Sequence, residues 1–174
     1  LNGGISLRMG QIDISGGKII AIKNSIDNPK DFYSESGNAW LPDALYVFNG
    51  TYGSKDATYG NSLNINIIGG EFICENEQGS AVAIFDIAKI AQNSSVKISG
   101  TAVLKTNATN RKAYQVLSLA DIGVDAPKKD YGNSEFAGKV KSELSGGSYN
   151  VEPDAKYIAD GLEAFKNGDM YEIS

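Results

Sequence analysis

The residue types that usually carry catalysis are sparse in this sequence. It has no histidine, a single cysteine, Cys74, and two arginines, Arg8 and Arg111. Without histidine, neither a Ser-His-Asp arrangement nor a His-based zinc site can be assembled, and no phosphate-binding glycine motif is present. Cys74 alternates with Phe72 in an apolar stretch, so we interpret it as a small buried hydrophobe rather than a reactive thiol. The sequence therefore predicts no catalytic residue, no metal ligand and no cofactor.

Two polar segments offer oxygen atoms that a calcium ion could use. Their acidic and amide residues are Asp27, Asn28 and Asp31 in the first segment, and Asp121, Asp125 and Asp130 in the second. Calcium requires about six to eight oxygen ligands. Neither segment has the spacing of an EF-hand or of a calcium-binding nonapeptide repeat, so we interpret both as solvated loop charge.

The candidate binding residues are aromatic side chains in polar surroundings: Tyr33, Trp40, Tyr52, Tyr59 and Tyr131. Exposed aromatic faces can stack on sugar rings while neighbouring asparagine and aspartate bind hydroxyl groups. Inserted loops on a rigid scaffold commonly carry binding, which favours a glycan or another cell-surface component as the ligand. The alternative is that Trp40 and Leu41 anchor their loop to the core.

The composition indicates one folded, turn-rich β domain over residues 1–174, because 41% of the residues are hydrophobic and 20 are glycine. The net charge of -5 argues against a nucleic-acid partner. No run approaches the ~20 apolar residues of a membrane span, so we expect no membrane insertion. The first residue is Leu1 rather than methionine, and we expect a monomer or a part of a longer chain.

One pattern recurs four times: alternating apolar residues, a glycine, and a return to an extended run. The copies lie at residues 12–19, 65–72, 96–103 and 142–149. Alternation with a period of two is typical of strands, and glycine permits the bend between them. A second apolar run precedes three of the copies, at residues 44–48, 81–85 and 113–117. Each repeat thus supplies about three short strands, as in one rung of a three-faced parallel β-helix.

The shared phase of the copies predicts which residues stack. We expect one inward ladder of Ile14, Ile67, Ile98 and Leu144, and a second ladder of Ile19, Phe72, Val103 and Tyr149. The uneven spacing of the copies indicates surface insertions at about residues 24–42 and 121–138. The alternative fold is a β-sandwich whose hairpins end in glycine, although two-residue hairpin turns are sparse in this sequence.

The last part of the chain, about residues 152–174, is predicted to cap the final rung. Pro153 can begin a helix, and Ala155, Ile158, Leu162 and Phe165 recur at helical spacing. Asn167 and Gly168 can end that helix, and residues 170–173 indicate a last short strand. Such a cap would cover strand edges that otherwise invite aggregation.

The C-terminal sequence also resembles a known group of proteins. LSGGSY at residues 144–149, VEPDAKYIADG at 151–161 and NGDMY at 167–171 resemble a recurrent ending in surface proteins of gut Firmicutes. Those proteins are similar to pectin-lyase-like, right-handed β-helix repeat proteins. The resemblance implies a right-handed β-helix of about four rungs, an extracellular or cell-surface location in a bacterium, and a non-catalytic structural or adhesive module.

The same resemblance keeps an enzyme as the alternative, namely a polysaccharide lyase or glycoside hydrolase, or a fragment of one. Pectate-lyase-like enzymes hold an acidic polysaccharide through calcium and abstract a proton with arginine or lysine, and their hydrolase relatives use three aspartates that include an Asp-Asp pair. This sequence has no Asp-Asp pair, and neither Arg8 nor Arg111 lies in such a motif. Fold alone does not decide function.

Overall fold

The computed structural model describes residues 4–7, 10–22, 42–50, 63–87, 94–117 and 140–174. Within these ranges the chain is nearly all β, with no α-helix and therefore none long and apolar enough to cross a membrane. The strands are β1 (Ile5–Leu7), β2 (Gly10–Ala21), β3 (Leu45–Gly50), β4 (Leu63–Cys74), β5 (Val82–Ile87), β6 (Ser95–Ile98), β7 (Val103–Thr106), β8 (Tyr114–Leu117), β9 (Lys141–Leu144), β10 (Ser148–Tyr149), β11 (Ala164–Asn167) and β12 (Met170–Ile173).

The strands form a curled, mostly parallel sheet that can be described as three rows. The first row contains β1, β3, β5 and β8 in that order. The second row contains the first halves of β2 and β4, followed by β6 and β9. The third row contains the second halves of β2 and β4, followed by β7 and β10. This repeated parallel pairing is the part of the β-helix prediction that the structure shows.

The first predicted ladder is confirmed, and it lies in the second row. Ile14 is in register with Ile67, Ile67 with Ile98, and Ile98 with Leu144. The last three side chains are completely buried, whereas Ile14 is half-buried because β2 is the outermost strand of its row. In all four strands the ladder residue therefore lies two positions before the first glycine of its copy.

The second predicted ladder is correct except at Val103. Phe72 is in register with Leu104, and Leu104 with Tyr149. Val103 is instead in register with Glu71 and Ser148. Leu104 is completely buried and Val103 is half-buried. The third copy differs because Gly100 is followed by two residues, Thr101 and Ala102, before the strand resumes, which is one residue more than in the Gly-Gly copies.

The apolar runs that precede three of the copies, at residues 44–48, 81–85 and 113–117, form the first row in the register that the sequence predicts. Leu45 pairs with Val82 and Val82 with Tyr114, so the alanines that precede the three strands are also equivalent. The structure adds β1 to this row, with Ile5 in register with Leu45. A run of three residues is too short to show periodicity, and β1 was therefore not predicted from the sequence.

The predicted C-terminal helix is wrong. Residues 155–157 form a single 3-10 turn, and the chain then folds into an antiparallel hairpin of β11 and β12. Gly161 adopts a φ of +80°, which interrupts any helix at that point. The final strand at residues 170–173 is confirmed, and β12 pairs antiparallel with β10. Pairing with a strand edge outweighs the helical spacing of the apolar residues.

Candidate functional site

The aromatic candidates Tyr33, Trp40, Tyr52, Tyr59 and Tyr131 lie outside the described residues, as do the six acidic and amide residues considered for calcium. Their role in binding stays a prediction. The structure does fix the strand ends from which their segments leave and to which they return. Residues 51–62 and 118–139 run from the first row to the second, whereas residues 23–41 run from the third row to the first. In the sequence, the five aromatics therefore fall between strands that flank two different corners of the sheet.

The first of these corners, where the first row leads to the second, is held by buried polar side chains around Asp86. The Asn49 amide donates to Asp86 Oδ1 at 2.8 Å, and Ser94 Oγ donates to Asn49 Oδ1 at 3.0 Å. All three residues are essentially inaccessible to water. Buried polar groups that bond to one another in this way hold their surroundings in one arrangement.

The same cluster binds backbone groups at the points where the chain re-enters the second row. The Leu63 amide donates to Ser94 Oγ at 3.1 Å, and the Val140 amide donates to Asp86 Oδ2 at 3.0 Å. The Asp86 corner therefore holds Leu63 and Val140, which are the first described residues after positions 51–62 and 118–139.

A second buried cluster, the Asp43 corner, lies where the third row leads to the first. Asp43 Oδ1 accepts a hydrogen bond from the Ser80 amide at 2.7 Å, while Asp43 Oδ2 is buried without a partner. Burial raises the pKa of Asp43 to about 7, against the opposing effects of the Ser80 amide and the charge of Arg111. At 2% exposure this carboxyl group cannot contact a substrate, so it is not a catalytic acid.

Cys74 lies in the Asp43 corner and is a buried, unreactive thiol, as the sequence predicts. Its Sγ donates to the Pro42 carbonyl at 3.0 Å. Burial raises the pKa of Cys74 to about 12, and the charge of Asp43 acts in the same direction. A thiol nucleophile needs the thiolate form, which this environment disfavours. The side chain instead links the end of β4 to Pro42, which lies three residues before β3.

A solvent-accessible cleft of about 430 Å³ lies between Lys112 and the C-terminal segment. Three acidic side chains line it, those of Glu152, Asp154 and Glu163, together with aliphatic groups that include Ile158 and Leu162. Cavities of a few hundred Å³ with both polar and apolar walls are typical of small-molecule sites. The cleft therefore combines acceptors, a cationic donor and apolar surface in one place.

Lys112 joins the two sides of this cleft. Its Nζ donates to the Glu152 carbonyl at 2.8 Å and lies 3.8 Å from Asp154 Oδ1. Sequence reasoning missed this site because the helix predicted from Pro153 onward assigned the same residues to a cap. The one available signal was the mixture of acidic and apolar residues over positions 152–163.

The outer face of the second row, in contrast, is a flat ladder of polar side chains that bond to one another. Asp13 accepts hydrogen bonds from Gln11 at 2.8 Å and from Asn66 at 3.2 Å. Farther along, Lys97 Nζ lies 3.4 Å from Glu143. Such a face suits a scaffold, because its side chains satisfy each other across the strands.

Comparison with known proteins does not extend this description. Within the part of the chain that the structure describes, no group of three or more histidine, cysteine, aspartate or glutamate side chains could hold a metal ion. No protein-family model matches the sequence, and no curated protein or solved structure is significantly similar to it.

Proposed function

We propose that this protein is a non-catalytic structural or adhesive module of a bacterial cell surface, and that it binds carbohydrate in the cleft beside Lys112. The observation that carries the proposal is this cleft, in which a cation and three acidic residues surround aliphatic groups next to a rigid sheet. Sugars present hydroxyl groups and apolar C–H faces together, and a site of mixed character can bind both. The surface location derives from the sequence resemblance at residues 144–171.

The scaffold is proposed to be a right-handed parallel β-helix. Three rows of parallel strands occur in the same order in successive repeats, with crossovers between strands that then pair. Connections between parallel strands of one sheet are right-handed in nearly all proteins. The buried clusters around Asp43 and Asp86 support this proposal because each lies where the chain turns from one row to the next.

A glycoside hydrolase or polysaccharide lyase is the second candidate, since Glu152, Asp154 and Glu163 line one cleft. Glycosidases need two carboxyl groups on opposite sides of the scissile bond. A general acid depends on burial from water, whereas Glu152 and Glu163 are exposed and Asp154 is beside Lys112. This arrangement favours binding over catalysis.

A glycan array with the purified chain tests the proposal, and Lys112→Ala is the informative variant. We expect this variant to weaken binding of the best array ligand by roughly tenfold or more, because a charged hydrogen-bond donor is lost. Lys97→Ala is the matched control, since Lys97 also forms an exposed ion pair but lies on the scaffold face. Equal effects of the two substitutions would contradict the proposed site.

Assays for reducing sugars and for unsaturated products, run on the same ligands, separate the two candidates. A binding module releases neither product. Product formation that Glu152→Gln or Glu163→Gln abolishes would establish the enzyme instead. Circular dichroism of each variant checks that the fold is intact.

A further inference from the structure

We infer that the outer edge of β2 is a self-association surface, at which two copies of this chain pair their β2 strands about a twofold axis. This inference is independent of the proposed carbohydrate site, which lies beside the C-terminal segment. The sequence predicts a monomer or a part of a longer chain, and a dimer departs from the first of these two expectations. Five features of β2 and of the opposite end of the sheet support it.

The first feature is the length of the unpaired edge. β2 has 12 residues and pairs with β4 on one side, and no strand among the described residues pairs with its other side. Long free edges expose rows of backbone donors and acceptors that readily bind another strand. Charged residues usually protect such edges, but β2 contains only Asp13 and Lys18.

The second feature is incomplete burial of the inward side chains. Ile12, Ile14 and Ile19 are only partly buried, whereas their partners in β4 are at most 2% exposed. The side chains of β4 are covered because β4 has a strand on each side, β2 on one side and β6 and β7 on the other. A further strand beside β2 would cover the three isoleucines in the same way. Burying the remaining apolar surface would favour association.

The third feature is Gly16. A Cβ atom at Gly69, in the next copy of the corner, would lie 2.6 Å from the Ser15 carbonyl oxygen, so glycine is needed there for the close approach of two backbones. A Cβ atom at Gly16 would meet nothing within 4 Å, and its φ is not positive. The described structure therefore leaves space beside Gly16 for a neighbouring backbone.

The fourth feature is the difference between the two ends of the sheet. The edge of β10 is covered by β12 of the same chain, and the outermost described strands at that end, β8, β9 and β11, have only four residues each. Head-to-tail stacking of β2 on the opposite end would therefore pair a long strand with a short one. Two β2 edges match each other in length, and a twofold contact of this kind closes as a dimer.

The fifth feature is the complementarity of β2 with itself. A twofold axis through the corner at Gly16 and Gly17 places the first half of one β2 strand beside the second half of the other. The side chains that face the core in one copy then lie on the same side of the sheet as those that face the core in the other copy. Ile12 and Ile14 of one copy then face the half of the second copy that contains Ile19. On the outer face, Asp13 lies opposite or diagonally next to the second copy's Lys18, within the range of cross-strand pairs. Lys18 is half-exposed in its ion pair with Glu71, so it can contact both carboxylates.

Sedimentation and light scattering of the complete chain over a range of concentrations test the inference. We expect a reversible dimer with twice the 18.5 kDa mass of the chain. Lys18→Glu should weaken the dimer by roughly tenfold, because each dimer contains the charged pair twice. The double reversal of Asp13→Lys with Lys18→Glu should restore association, since it restores opposite charges across the interface.

Lys97→Glu is the matched control, because it breaks an exposed ion pair of similar length away from the edge. Gly16→Val gives a second test, since the side chain has space in a single copy and would collide only with a neighbouring strand. A chain that stays monomeric at all concentrations would overturn the inference, and would indicate that other residues of the chain cover β2. Assemblies larger than a dimer, equal effects of Lys18→Glu and Lys97→Glu, or failure of the double reversal would also overturn it.

Discussion

At the scale of single residues, the buried polar side chains are concentrated where the chain turns between rows. Asp43, Asn49 and Asp86 are each at most 2% exposed, although carboxyl and amide groups are costly to bury. Asn49 and Asp86 recover part of that cost through hydrogen bonds at 2.8–3.0 Å. Asp43 recovers less, because one of its oxygens has no partner. The protonation state of Asp43 therefore affects the stability of the folded chain.

Replacing Asp43 by asparagine should flatten the dependence of stability on pH. Burial raises the pKa of Asp43 from an ordinary value of 3.8 to about 7, so the folded chain holds a proton that the unfolded chain releases. Its contribution to stability is intact below pH ~4 and is lost progressively as the pH rises to ~7, by an amount on the order of 4 kcal/mol. The side-chain amide introduced by Asp43→Asn does not ionise in this range, so that variant lacks this loss.

Urea unfolding at several pH values between about 4 and 8 measures this effect. Asp13→Asn is the control, because Asp13 is exposed. We expect the free energies of unfolding of the native chain and of Asp43→Asn to converge or cross as the pH rises. Parallel curves for the two proteins would show that Asp43 is ionised at little cost.

At the scale of elements, the inward ladders are the main source of packing energy. Ile98→Ala should lower the free energy of unfolding by about 2–5 kcal/mol, because Ile98 is completely buried between Ile67 and Leu144. Ile68→Ala is the matched control, since Ile68 is 48% exposed and should cost less than about 0.5 kcal/mol. Chemical unfolding of both variants measures the difference. Similar losses in the two variants would contradict the assigned ladder.

The ladders could be predicted from the sequence because two short-range rules act together. Alternation separates inward from outward residues, and the following glycine sets the phase in which Ile67, Ile98 and Leu144 coincide. The rule failed at Val103, where Thr101 and Ala102 lengthen the corner by one residue. A single insertion changes which side chain faces the core, and local sequence does not reveal whether the turn or the strand absorbs it.

The C-terminal segment and the cleft could not be predicted because long-range contacts decide both. Leu162 and Phe165 have helical spacing, yet they are 36% and 42% exposed. A helix would therefore gain little stability from burying them. The pairing of β12 with β10 stabilises a strand instead. The cleft depends on Lys112 Nζ reaching the Glu152 carbonyl across 40 positions of sequence, a contact that neither residue signals on its own. The binding role of the aromatic candidates stays a prediction.

At the scale of the whole molecule, the two ends of the sheet have opposite characters. The N-terminal end presents β2, a long strand with one unpaired edge among the described residues. At the C-terminal end, β12 pairs with β10, and the Ala159 amide donates to the Leu144 carbonyl at 3.0 Å. The Tyr157 ring packs edge-on against Tyr114, with centroids 5.3 Å apart. One segment of 23 residues, 152–174, thus contacts the last strand of all three rows.

Deleting residues 152–174 should convert the dimer into assemblies without a fixed number of copies. The deletion uncovers the edges of β9 and β10 and the face of Tyr114, so both ends of the sheet can then accept strands, and a second kind of contact permits growth beyond a dimer. We expect light scattering to show large, concentration-dependent assemblies and lower solubility. Phe165→Ser is the control, because it changes an exposed residue of the same segment without removing its pairing. A truncated chain with the same assembly state and stability as the intact chain would show that this segment is not a cap.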